Sequence, residues 1–208
     1  MELLGKIFDN ASRVKIMRLF LFSDGEPFTL DVVSQRAHVR KDTTRKEWNS
    51  LTKIGLISKK EFSEKVPTRP TKAKPEGGYK KVKRKGWMLN VKFTLIEPLK
   101  NLLIDTELVN SKEIIKRVRQ AGTINMLLLS GLFVRDDGRK IDMLVVGDKL
   151  DEKKLARQIS IIESEVGREL SYASFTTEEF KYRMGMYDKL LRDVLENTHM
   201  TLINKSLL

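Results

Sequence analysis

Apolar residues recur at helical spacing in the first part of the chain. The segment 12–22 is dense enough in apolar residues for a buried helix, and 29–39 predicts a second helix. In the segment that follows, Thr44, Trp48 and Leu51 repeat at i, i+4 and i+7. This spacing places the three side chains on one face, so we expect a third helix that packs inward through them.

Capping and turn residues mark where these elements begin and end. Thr29 is a suitable N-cap for the second helix, and Gly55 can end the third in a left-handed conformation. The segments 56–62 and 86–95 predict a strand and a return strand. Between them, 65–85 is rich in Pro, Gly and Lys, which predicts a mobile loop.

The second half of the chain interleaves apolar strands with amphipathic helices. Strands separated by helices indicate an α/β sandwich. The predicted helices are 97–109, 111–122, 151–167, 176–185 and 186–197, and the predicted strands are 123–134, 140–148, 168–176 and 200–204.

Charge separates the two halves more sharply than hydropathy does. The chain has 208 residues and a net charge of +12; residues 1–95 hold 22 Lys and Arg against 10 Asp and Glu, whereas residues 96–208 hold 18 of each. This asymmetry predicts a basic module that faces a polyanion and a neutral module with another task. The chain has no Cys, no signal-peptide pattern and no long apolar run, so we expect a cytoplasmic protein without a membrane partner.

The basic half resembles a winged helix-turn-helix over roughly residues 10–95. The resemblance rests on the helix pattern and on the following residues: Leu30, Val33, Ala37, Val39, Thr44, Trp48, Leu51 and "IGLI" at 54–57. It implies double-stranded DNA as the partner, with the third helix in the major groove.

Two sets of residues become candidate DNA contacts through this resemblance. Arg and Asn suit base edges, whereas Lys and Thr suit phosphates. Asp42 and Glu47 interrupt the first set. The candidates are Arg40, Lys41, Thr43, Arg45, Lys46 and Asn49 on the third helix, and Lys80, Lys81, Lys83, Arg84 and Lys85 on the basic wing.

The neutral half resembles the minimal nucleotidyltransferase family over roughly residues 110–206. The resemblance rests on Gly131 after the first strand, the strand ending in "VVGD", the "TTEEF" segment and the terminal "LIN". It implies a nucleotide site in which two carboxylates on alternate residues of one strand hold Mg²⁺.

That site is incomplete in this chain. Leu132 stands where the family has Ser, and Lys140 stands where it has the first Asp, which leaves Gly131 and Asp142 as remnants of a degenerate nucleotide site. A lysine places a cation where a metal ion should bind. We therefore expect no catalytic residue, no metal and no cofactor, with Asp142 paired to Lys140 or Arg139.

These features predict an α+β protein of two domains: a winged helix-turn-helix with a long basic wing (1–95), a linker helix (96–110) and an α/β nucleotidyltransferase-like sandwich (111–208). The predicted function is sequence-specific DNA binding in transcriptional regulation as a homodimer. The second domain would serve dimerisation or the sensing of a small-molecule or nucleotide effector. Two alternatives stay open: an active nucleotidyltransferase that modifies an RNA or protein partner, as in toxin–antitoxin systems, and an architectural nucleic-acid binder.

Overall fold

The chain divides into two compact units, with the boundary between Asp105 and Thr106. The computed structural model describes residues 3–23, 25–68, 78–104, 110–205 and 207. Within these residues, helices combine with a two-stranded and a four-stranded sheet, which gives an α+β protein. None of the described helices is both long and apolar enough to cross a membrane.

The N-terminal unit is a group of helices with a long antiparallel hairpin. Two predicted signals are confirmed: the Thr29 side chain accepts the N–H of Val32, and Gly55 has a φ of +82°. The first long helix is capped by Asn10, whose side chain accepts the N–H of Arg13 at 2.9 Å. The elements are α1 Leu3–Ile7, α2 Ala11–Phe22, α3 Leu30–Arg36, α4 Lys41–Lys53, β1 Ile57–Thr68, β2 Gly78–Leu89 and α5 Ile96–Leu103.

The predicted mobile loop at 65–85 is wrong for most of its length. Strands β1 and β2 pair without interruption from Ile57↔Leu89 to Thr68↔Gly78, and the tip of the predicted loop, 69–77, lies outside the described residues. Antiparallel pairing joins the backbone N–H and C=O groups of the two strands, which outweighs the loop-like composition.

The helix that we predicted as a linker at 96–110 belongs to the N-terminal unit instead. It ends at Leu103, and Ile96 and Leu103 are buried in the core of that unit. The fully buried Arg18 of α2 donates its Nε–H to the carbonyl of Leu103 at 2.7 Å, which ties α5 to the helices. Residues 105–109 of the predicted segment lie outside the described residues.

Four aromatic side chains attach the hairpin to the helices. Trp87 of β2 meets Trp48 of α4 edge-to-face at 4.7 Å between ring centres, and Phe20 of α2 contacts Trp48 at 5.9 Å and Phe28 at 5.7 Å. Phe28 also exchanges two backbone hydrogen bonds with Trp87, at 2.8 and 2.9 Å. Such aromatic pairs add about 0.5–1.5 kcal/mol each beyond their buried area, so this cluster fixes where the hairpin leaves the helices.

The C-terminal unit is a four-stranded sheet covered by helices. The sheet order is β5-β4-β3-β6; β3 is antiparallel to β4 and β6, and β4 is parallel to β5. Successive residues of β3 and β4 are buried, so both faces of the sheet are covered. The elements are α6 Ser111–Val118, a 3₁₀ helix Arg119–Ala121, β3 Thr123–Leu129, a 3₁₀ helix Gly131–Val134, β4 Met143–Asp148, α7 Glu152–Val166, β5 Tyr172–Phe175, α8 Thr177–Gly185, α9 Lys189–Leu195 and β6 Met200–Asn204.

The predicted order of elements in the second half matches the structure, but three predicted strands are too long. The strand predicted at 123–134 ends at Leu129, and its last residues form the 3₁₀ helix. The strands predicted at 140–148 and 168–176 begin only at Met143 and Tyr172. The apolar run of the first strand continues past Leu129, where its pairing with Met143 ends and the backbone turns. The residues before the other two strands, 140–142 and 168–171, are mostly polar, and the ladder between those strands begins only at Met143 and Tyr172.

Gly86 allows strand β2 to lie close to the backbone at Phe28. Substitution of Gly86 tests this close approach. A Cβ at position 86 would lie 2.6 Å from the carbonyl oxygen of Phe28 and 2.7 Å from the Phe62 ring. We expect Gly86→Ala to destabilise the N-terminal unit by about 1–3 kcal/mol. Urea unfolding followed by tryptophan fluorescence measures this unit because both tryptophans, Trp48 and Trp87, lie in it.

Gly185→Ala is the matched control, because a Cβ there meets no atom within 4 Å. We expect no loss of stability in this variant by circular dichroism, since Ala favours a helix over Gly. Equal stability of the Gly86→Ala chain and the unmodified chain would contradict the close approach at Phe28.

Candidate nucleic-acid interface

Helix α4 has one buried face and one cationic face. Thr44, Glu47, Trp48 and Leu51 are buried in the N-terminal unit. The predicted contact residues lie elsewhere on the helix: Thr43 is half-buried, and Arg40, Lys41, Arg45, Lys46 and Asn49 are exposed. The structure therefore places five of the six predicted residues on α4 and Arg40 directly before it.

Glu47 is turned away from the cationic face, contrary to our expectation that it interrupts it. Its carboxylate accepts hydrogen bonds from Asn10 Nδ2 and Arg13 Nε, both at 2.6 Å. Because the Glu47 side chain is only 9% exposed, these two partners at the start of α2 neutralise an otherwise unpaired buried charge. The contact fixes the rotation of α4 about its axis and so fixes which residues point outward.

One predicted contact residue on α4 already has a partner within the chain. Lys41 Nζ lies 2.6 Å from Asp31 Oδ1, and both side chains are largely exposed. The hydrogen bond from Lys41, together with its charge, lowers the pKa of Asp31. Exposed pairs contribute little to stability, so Lys41 can exchange this carboxylate for a phosphate.

The five predicted wing cations lie on strand β2 and not on a loop. Lys80, Lys81, Lys83, Arg84 and Lys85 are all exposed within Gly78–Leu89. The described residues of β1 and β2 contain eight Lys and Arg against two Glu, a net charge of +6. Half of the net charge of the chain therefore lies on an ordered ribbon with a defined register.

The strand geometry divides these cations between two faces, because alternate side chains point to opposite sides. The Trp87 face is defined by the cross-strand pairs 59/87, 61/85, 63/83 and 65/81. It therefore carries Lys81, Lys83 and Lys85. The Phe62 face is defined by the pairs 60/86, 62/84, 64/82 and 66/80, and it carries Lys80 and Arg84.

The two faces differ in how much of their positive charge is neutralised. On the Phe62 face, Arg84 pairs with Glu64 at 3.3 Å. On the Trp87 face, Lys65 lies directly opposite Lys81, which is a destabilising arrangement of like charges. Among the described residues, no acid lies within ion-pair distance of Lys65, Lys81 or Lys83. Glu61 lies on the Trp87 face opposite Lys85, so the outer part of this face carries positive charge that no described acid neutralises.

Sequence reasoning missed Lys65 and the Glu47 contact. Lys65 falls in a segment that we predicted as a loop. The apolar residues Phe62 and Val66, which flank the charged residues Glu64 and Lys65, would have allowed the first predicted strand to be extended through this segment. No local signal points to Glu47, because its partners Asn10 and Arg13 lie 37 and 34 residues away.

The second candidate site lies in the C-terminal unit, where Asp142 holds the backbone together. Its Oδ1 accepts the N–H of Leu132 at 2.8 Å, and its Oδ2 accepts the N–H of Ser171 at 2.9 Å. Gly131 has a φ of +52°, and a Cβ there would collide with Asp142 Oδ1. Gly131 and Asp142 are therefore structurally coupled: the glycine leaves room for the carboxylate that joins three chain segments.

The predicted pairing of Asp142 with Lys140 or Arg139 is wrong. Lys140 is exposed and donates its backbone N–H to Asp193 at 3.2 Å, and Arg139 pairs with Asp136 at 2.8 Å and with Asp193 at 3.5 Å. The turn acid Asp137 lies 3.4 Å from Arg168. Across the described residues, no group of three or more His, Asp or Glu side chains is arranged to hold a metal ion.

Comparison of the chain with protein-family models, with curated proteins and with solved structures finds no match.

The structural role of Asp142 can be tested by a double-mutant cycle with Gly131. We expect Asp142→Ala to destabilise the C-terminal unit by about 1–3 kcal/mol, because two N–H groups lose their acceptor. Gly131→Ala should cost a similar amount, partly through its collision with the carboxylate and partly through the positive φ at this position. The double variant should lose about 1 kcal/mol less than the sum of the two, since removal of the carboxylate leaves room for the new methyl group.

Denaturant unfolding followed by far-UV circular dichroism measures the cycle. Additive losses would contradict the coupling of the two residues. An Asp142→Ala chain that keeps its stability but loses a Mg²⁺-dependent nucleotide transfer would assign the carboxylate to catalysis.

Proposed function

We propose that the protein is a sequence-specific DNA-binding transcriptional regulator that acts in the cytoplasm, with a winged helix-turn-helix in its N-terminal unit. The observation that carries the proposal is the geometry of α4. Its inward side is locked by Trp48, Leu51 and the buried Glu47, while its outward side presents Arg40, Arg45 and Asn49. A rigid helix with exposed Arg and Asn suits the edges of guanine and adenine in a major groove.

The order and pairing of the elements support the same proposal. A short turn separates α3 from α4, and a β-hairpin follows at once. The segment before α3 pairs with β2 through Phe28 and Trp87, so the hairpin is joined to the helix pair. This order of elements supports a winged helix-turn-helix, in which β1 and β2 would form the wing.

The Trp87 face of the hairpin is proposed to hold the DNA backbone beside the groove that α4 enters. Trp87 contacts Trp48, so this face is turned toward α4 at the base of the hairpin. Its outer part carries Lys65, Lys81 and Lys83, which lack acidic partners within the described residues. Phosphates placed there would release counterions and relieve the repulsion between Lys65 and Lys81.

The C-terminal unit is proposed to be a nucleotidyltransferase-like domain without transferase activity, serving dimerisation or effector sensing. Asp142 supports this proposal because both of its carboxylate oxygens accept backbone N–H groups. Leu132 contributes a backbone N–H there, and its apolar side chain could not bind phosphate. Lys140 would repel a metal ion at the position of the missing first carboxylate.

Arg45 tests whether α4 reads bases. We expect Arg45→Ala to weaken binding to a selected DNA site by about 1–3 kcal/mol and binding to random duplex much less. Arg157→Ala is the matched control, because Arg157 is an exposed helical arginine in the C-terminal unit. Fluorescence anisotropy on a site selected from a random library measures both variants; equal losses on the selected and random duplexes would contradict base reading.

Two double variants on β2 test which face of the hairpin contacts DNA. Lys81→Gln with Lys83→Gln removes two charges from the Trp87 face, and Lys80→Gln with Arg84→Gln removes two from the Phe62 face. We expect the first pair to weaken binding to all duplexes and to reduce the slope of log affinity against log salt by about two units. The second pair should change the slope by less than about one unit.

The Lys80→Gln/Arg84→Gln variant is the control for net charge, because the two double variants lower the net charge of the chain equally. Equal slopes for the two double variants would mean that the hairpin binds DNA through its overall charge and not through one face. If the unmodified chain binds no duplex at low salt, the proposed function itself is wrong.

A further inference from the structure

A rigid turn joins α8 to α9 in the C-terminal unit. Asp188 accepts the N–H groups of Leu190 and Leu191 at 2.8 and 3.2 Å, and it pairs with Arg183 at 3.1 Å. The Arg183 guanidinium also lies over the ring of Phe175, 4.7 Å from its centre. These contacts hold the turn in one conformation against the sheet.

Tyr187, at the centre of this turn, has a strained backbone. Its φ is +54°, in the left-handed region that bulky residues rarely adopt, and its N–H donates to the carbonyl of Met184 at 3.2 Å. Asn or Gly would occupy this conformation at lower cost. A large aromatic side chain therefore stands where a small residue would make the fold more stable.

The strained turn presents an apolar surface to solvent. Tyr182 is 68% exposed, Met184 39%, Met186 65% and Tyr187 79%. Tyr182 and Met186 lie one helical turn apart, since the Met186 N–H donates to the carbonyl of Tyr182, and Tyr187 follows, whereas Met184 lies on another face of α8. With aromatic side chains of about 150–250 Å² each, Tyr182, Met186 and Tyr187 together expose roughly 450 Å². This area falls within the range of the largest apolar patches on monomers, which often serve interactions. It also supplies more than half of the roughly 800 Å² that each partner contributes to a standard interface.

The charges around this patch favour a second copy of the chain as its occupant. Residues 177–195, which contain the patch, hold four Lys and Arg and four Asp and Glu, so two copies can meet here without net repulsion. In contrast, residues 1–95 carry a net charge of +12, so contact through the first half would bring like charges together. A surface with both signs of charge can also match itself across a two-fold axis.

We propose that the chain forms a homodimer through the patch defined by Tyr182, Met186 and Tyr187, with Tyr187 as its central contact. This inference rests on the proposed role of the C-terminal unit in dimerisation, and it names the surface that performs that role. Tyrosine and methionine are enriched at the centres of protein interfaces, where a few buried aromatic residues contribute most of the affinity.

Tyr187→Asn tests the proposal in the full-length chain, with Tyr79→Asn as the matched control. Tyr79 is 76% exposed on the hairpin, so each variant removes one exposed tyrosine, one inside the patch and one outside it. Sedimentation velocity over a wide protein concentration range measures self-association. We expect a dimer for the unmodified chain, a dissociation constant raised by roughly tenfold or more for Tyr187→Asn, and no change for Tyr79→Asn.

Thermal unfolding separates a lost contact from a damaged fold. At a dilution at which all chains are monomers, Tyr187→Asn should unfold at the same or a higher temperature, because Asn relieves the backbone strain. A lower unfolding temperature would make Tyr187 a structural residue and overturn the proposal. A monomeric unmodified chain, or equal weakening by the two variants, would also overturn it. DNA binding does not enter these measurements, so a failure of the DNA-binding proposal would remain distinguishable.

Discussion

The contact of Trp87 with Trp48, together with the backbone pairing of Trp87 and Phe28, is the constraint on which the N-terminal unit depends. A two-stranded hairpin alone is at best marginally stable in water. Here its base is held by aromatic rings from α2 and α4 and by two hydrogen bonds at 2.8 and 2.9 Å. Side chains along a strand alternate between its two faces. The contact of Trp87 with Trp48 therefore decides on which face of the hairpin each cation lies.

In the C-terminal unit, one carboxylate joins segments that are far apart in the chain. Gly131 and Asp142 occupy positions at which the resemblance would place phosphate and metal contacts. In the structure they instead join three backbone segments, through hydrogen bonds from Leu132 and Ser171 to the Asp142 carboxylate. Because both carboxylate oxygens of Asp142 accept backbone N–H groups, this residue stabilises the backbone of the C-terminal unit.

The two units also differ in how their charged groups are distributed. Two acidic groups of the N-terminal unit are placed where they interfere little with its basic surface: Glu47 is buried against Asn10 and Arg13, and Glu64 pairs with Arg84 on the Phe62 face. Two others, Asp42 on α4 and Glu61 opposite Lys85, remain exposed among the cations. The C-terminal half, with equal numbers of acidic and basic residues, can bring two copies together without the repulsion that the first half would cause.

The sequence by itself determined the features that depend on near neighbours. Helical spacing predicted α4 with its inward Thr44, Trp48 and Leu51, the capping signals at Thr29 and Gly55 were correct, and counting charges located the basic half. Only the tertiary structure decided the length of the hairpin, the inward turn of Glu47 and the partners of Asp142. Each of these depends on a contact between residues far apart in the chain, and periodicity within one segment carries no information about such partners.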